Sequence, residues 1–160
     1  MATLVRMGWS SDDGSALEES LTRGRKRVER HAAFVAHLRA RDPVFAEASA
    51  LHGPDNAPWQ AAVYLLTGCR PVWGALGSRV LADRSIAPVV QALARANGRD
   101  VGSERAVMEW AAYLWEVERH HHTGYPCEFG EYYFRRWMTA LHLRHRMPPV
   151  PGADIPGRDL

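Results

Sequence analysis

From Ser15 to Met147 apolar residues recur at three- and four-residue intervals, the spacing of helices that lie on a core. The runs are separated by residues that start and stop helices. Ser15 followed by Glu18 has capping-box spacing and predicts a helix to about Arg41, weakened at Gly24. Its second half sets Val28, His31 or Ala32, Val35 and Leu38 on one face. Asp42-Pro43 pairs an N-cap with proline at the first helical position and predicts a short helix to Leu51, stopped by Gly53-Pro54.

The same punctuation recurs downstream. Asn56 and Pro58 open a helix through Trp59, Ala62, Tyr64 and Leu65, and Gly68 closes it. Pro71 opens a short helix weakened by Gly74 and Gly77. Ser85 caps a helix from Ile86 to about Ala96, and Ser103 caps one to about Arg119. The last runs from about Phe129 to Met147 and ends at Pro148-Pro149. VYLL and PVV are short apolar runs inside helical punctuation, so no strand is expected.

This pattern predicts an all-α fold, a single compact domain of about six or seven helices with two long, central C-terminal helices. The first of that pair carries Ala106, Val107, Met108, Trp110, Ala111, Ala112, Leu114 and Trp115, apolar nearly all round. Trp110, Trp115 and Trp137 are expected in the core, and Trp9 outside it. Residues 1–14 read as a flexible N-terminal arm, 15–147 as the helical domain, and 148–160 as a Pro-rich extended tail.

The 160 residues suffice for one domain, and 46% hydrophobic with 24% charged residues excludes a mostly disordered chain. A net charge of +2 does not by itself point to nucleic acid or membrane. Lys26 is the only lysine among abundant arginine, alanine and glycine, a coding bias expected of a GC-rich bacterial genome. Cys69 and Cys127 do not make a disulfide framework. Neither a signal peptide nor a spanning helix is legible, so a cytoplasmic location is expected.

Candidate chemistry gathers at the corner between the last two helices. His120, His121 and His122 follow Glu116 and Glu118, which makes these five residues a candidate metal or acid-base site. The structural alternative is a helix C-terminus, where cationic or donor side chains meet unpaired carbonyls. His142 and His145 lie roughly 20 Å away along an antiparallel helix, too far to share one ion. Cys127, beside Pro126, is a candidate reactive thiol if His121 or His122 partners it. Glu109 and Glu116 sit on a largely apolar helix and call for partners, with Arg105, Arg135 and Arg136 in reach. Arg23, Lys26, Arg27 and Arg30 share a helix face that suits phosphate contact, set against a solvated face balanced by Glu18, Glu19 and Glu29.

No phosphate loop, Ser-His-Asp signature, zinc spacing or helix-turn-helix is present, so catalysis is not the leading expectation and no cofactor is called for. The first expectation is a small soluble helical protein that acts by macromolecular binding, as an accessory, regulatory or immunity-type protein whose partner is another protein. The alternatives are a small metal-dependent or acid-base enzyme at His120–His122, and nucleic-acid binding through Arg23–Arg30. Membrane association is not expected, and homo-oligomerisation is open.

Overall fold

A computed structural model describes residues 11–96, 102–116 and 129–149, with side chains from Gly14 onward. It is a single compact all-α domain, with no strand among the described residues. Its helices are α1 (Ser11–Arg41), α2 (Pro43–Ser49), α3 (Ala57–Thr67), α4 (Arg70–Asp83), α5 (Ala87–Ala96), α6 (Ser103–Trp115) and α7 (Glu131–Arg144).

The caps form much as the sequence implies. Asp42 accepts from the Phe45 amide at 3.0 Å, Asn56 from the Trp59 amide at 3.1 Å, and Ser85 from the Ala87 amide at 3.0 Å. Each satisfies a backbone donor that the first helical turn leaves free. Other boundaries differ. α1 already runs from Ser11, so Ser15 and Glu18 lie within the helix instead of capping it, and α6 ends at Trp115, short of Arg119.

The centre of the domain is also different. α3, not the C-terminal pair, is the hub, and α2, α4, α6 and α7 all pack on it while α6 and α7 touch each other little. Every residue of α3 from Trp59 to Thr67 is buried. α6 is buried all round from Ala106 to Ala112, as its pattern demands. Trp110 is buried, whereas Trp115 and Trp137 are partly buried against the core. Trp59 is fully buried; its ring meets Trp115 edge-on at 5.4 Å, and its Nε1 donates to the Ala48 carbonyl at 2.9 Å. Gln60 donates to the Ser49 and Gly53 carbonyls, so α3 also closes the end of α2.

One buried cation ties the last helix to the rest. Arg136 donates through Nε to the Tyr64 carbonyl at 2.5 Å and through Nη2 to Thr67 at 2.9 Å and Asp42 at 3.0 Å. Its guanidinium lies over the Tyr64 ring, 3.9 Å from the centroid. Only glycine fits at position 68, because a Cβ there would stand 1.8 Å from Arg136 Nε.

α1 is unlike the other helices. His31, Phe34, Val35 and Leu38 are buried, but every residue from Gly14 to Arg30 is exposed. The outer half of this helix therefore buries none of its residues in the described domain. No helix among the described residues is long and apolar enough to cross a membrane.

Candidate functional site

The basic face expected on α1 is present, and the fold adds to it. Arg23, Lys26, Arg27 and Arg30 recur at three- and four-residue steps and are all exposed. Facing them is the turn that ends α7. There Arg146 takes a left-handed backbone (φ 52°), which swings the chain across the base of α1's free half. Arg27 Nη2 donates to the His145 carbonyl at 2.8 Å and joins segments 118 residues apart. The result is a cleft of about 380 Å3 lined by Arg23, Lys26, Arg27, Arg30, Arg146, Met147 and Pro148. Arg144 and His145 extend it through an adjoining hollow of about 290 Å3.

The hydrogen bonds of this cluster leave its charge in place. Arg144 Nε donates to the Leu114 carbonyl at 2.8 Å, and Arg146 Nη2 to the Asp55 carbonyl at 2.7 Å. Like the Arg27 bond, these go to neutral oxygens. They fix the arginines without cancelling them, apart from the partial negative charge at a helix C-terminus. The ion pairs Arg105–Glu109, Arg135–Glu131 and Arg136–Asp42 lie elsewhere. Acidic balance comes from Glu29 on the flank of α1 and from Asp55, which faces His31 together with Arg146.

His31 lies beneath this cluster. It is 3% exposed, and its Nε2–H donates to the Pro54 carbonyl at 3.1 Å. Burial holds its pKa below the ordinary 6.5; the Pro54 bond and Asp55 oppose the shift and Arg146 adds to it. Near the other end of α7, Tyr133 donates to Cys69 Sγ at 3.6 Å. Burial and that sulfur push the phenol pKa upward, so this hydroxyl stays protonated and serves packing.

The remaining candidates fare differently. Glu118, His120, His121, His122 and Cys127 lie outside the described residues. Glu116 is the half-buried C-cap of α6. Among the described residues no three His, Cys, Asp or Glu side chains are grouped as metal ligands would be. The Arg105–Glu109 and Glu131–Arg135 pairs form as their spacing implies, each across one helical turn. Arg136 reaches Asp42, Tyr64 and Thr67. Arg144, His145 and Arg146 were not expected at the site. Their signal in the sequence is a basic cluster just before Pro148-Pro149, and nothing local links it to α1. The chain matches no protein-family model, and no curated protein or solved structure is significantly similar to it.

Proposed function

We propose that this protein acts by macromolecular binding, gripping the phosphate backbone of a nucleic acid in the cleft between α1 and the end of α7. The observation that carries this reading is the convergence of two basic segments 118 residues apart on one open cleft, held by the Arg27–His145 bond. Arginine suits the task, because its planar fork pairs with phosphate oxygens and keeps its charge at any working pH. The described lining is cationic, with Met147 and Pro148 its other members, a composition that suits contact with backbone phosphates.

The test is binding to generic single-stranded and duplex DNA and RNA over a range of salt. Affinity should fall linearly with salt on logarithmic axes. Changing Arg23, Lys26 and Arg30 together to Ala should lower it and reduce the slope by about one unit per phosphate contact removed. These side chains are exposed, so helicity should be unchanged. Binding that ignores salt, or that survives the triple change with its slope intact, would refute the proposal.

A further inference from the structure

Along α1, one stripe of positions runs through the whole helix at alternating steps of four and three: Leu17, Leu21, Gly24, Val28, His31, Val35 and Leu38. This is the 3.5-residue period of a coiled-coil seam. Its second half is used, since His31, Val35 and Leu38 are buried in the domain. Its first half is largely uncovered among the described residues, with Leu17 50% exposed, Leu21 60% and Val28 49%, and Val28 borders the hollow that Arg144, His145 and Arg146 line. Gly24 lies on the same stripe with open space where its Cβ would be. A mid-helix glycine costs about 1 kcal/mol relative to alanine, a cost with no return within the domain.

The charges flanking the open stripe show what fits it. Acidic residues, Glu18 and Glu19, precede its midpoint, and basic residues, Arg25, Lys26 and Arg27, follow it. A helix with this polarity complements a reversed copy of itself. We propose that the outer half of α1 pairs antiparallel with the same segment of a second copy of this chain. The two-fold axis passes between Thr22 and Thr22's neighbour Arg23. Each Leu17 then meets the other chain's Val28, and each Leu21 fills the space left open at Gly24. Seam positions pair in the order an antiparallel coiled coil requires, and Glu18 of each chain flanks the opposite Arg25. Parallel pairing would instead set the two basic segments side by side. The contact spans about 18 Å of helix, short enough to make a reversible dimer. Arg23, Lys26 and Arg30 lie off this stripe by helical spacing, so changing them tests anion binding without touching the seam.

Sedimentation velocity over a micromolar to several-hundred-micromolar series tests this. The intact chain should pass from monomer to dimer, and Leu21→Gln should remove the dimer. Glu18→Arg alone and Arg25→Glu alone should each weaken association roughly tenfold, because two pairs per dimer become like-charged. Combining Glu18→Arg with Arg25→Glu should restore it. Residues 18 and 25 are seven apart and do not meet within one helix, so that rescue reports on pairing between chains. The Arg23, Lys26 and Arg30 triple change should dimerise like the parent. A chain that stays monomeric throughout, a dimer indifferent to Leu21→Gln, or a charge swap without rescue would each overturn the proposal.

Discussion

The guanidinium of Arg136 is 4% exposed and is held by a carboxylate, a hydroxyl, a backbone carbonyl and an aromatic face. Removing it takes the charged donor from the Tyr64 carbonyl, which keeps Thr67, and the cation from Asp42, which keeps the Phe45 amide. Asp42 keeps 18% of its side chain in contact with solvent, so its charge can recover some hydration. Arg136→Met should therefore cost about 3 kcal/mol, the lower end for severing a buried ion pair, read from chemical denaturation at pH 7. His31 supplies a second prediction at this scale. Its folded-state pKa lies below the ordinary 6.5, so the unfolded chain takes up the proton more readily. The stability it contributes is complete above that ordinary value and is lost as pH falls through the lower folded-state value. His31→Gln keeps a donor for the Pro54 carbonyl and cannot titrate. Its thermal midpoint should fall less than the parent's between pH about 7 and about 5. An equal fall in both would show that His31 is not the group responsible.

At the scale of the element, α1 divides into two halves with different duties. The inner half supplies core residues, and the outer half, from Gly14 to Arg30, supplies none. Helical stability in a protein comes mainly from burying a face, so the outer half gives the domain little. Removing residues 1–24 should shift the thermal midpoint of the dilute protein by less than about 3 °C, while total helix signal drops. A larger shift would mean that this segment packs on the domain. α3 shows the opposite extreme. It is short, yet every residue from Trp59 to Thr67 is buried, and Trp59 and Gln60 also satisfy the carbonyls that end α2.

On the scale of the whole molecule, a net charge of +2 conceals an uneven distribution. Arginines from both ends of the chain meet in one cleft, held by neutral carbonyls of His145, Leu114 and Asp55. Gathering like charges raises self-repulsion and creates a strong local potential. That concentration of charge at an open surface is what the proposed phosphate contact rests on. The apolar stripe of α1 meets the basic hollow only at Val28, so one helix carries a basic side and a largely uncovered apolar one.

The sequence by itself determined the helices and most of their ends. Asp42, Asn56 and Ser85 act on amides two or three residues away, so local chemistry suffices to place those starts. It also determined which residues of α6 are buried, because a helix apolar all round has no other stable place. The basic face of α1 was legible for the same reason, as a periodic pattern within a single helix. Only the tertiary structure decided that α3 is the hub, since α3, α6 and α7 all carry apolar faces and periodicity does not rank them. It alone sent Arg136 to Asp42, 94 residues distant, and set Arg146 beside Arg27. It alone left Leu17, Leu21 and Val28 uncovered, although their stripe continues that of His31, Val35 and Leu38. Spacing fixes which residues share a face, but what the face meets depends on where the chain ends its turns and returns.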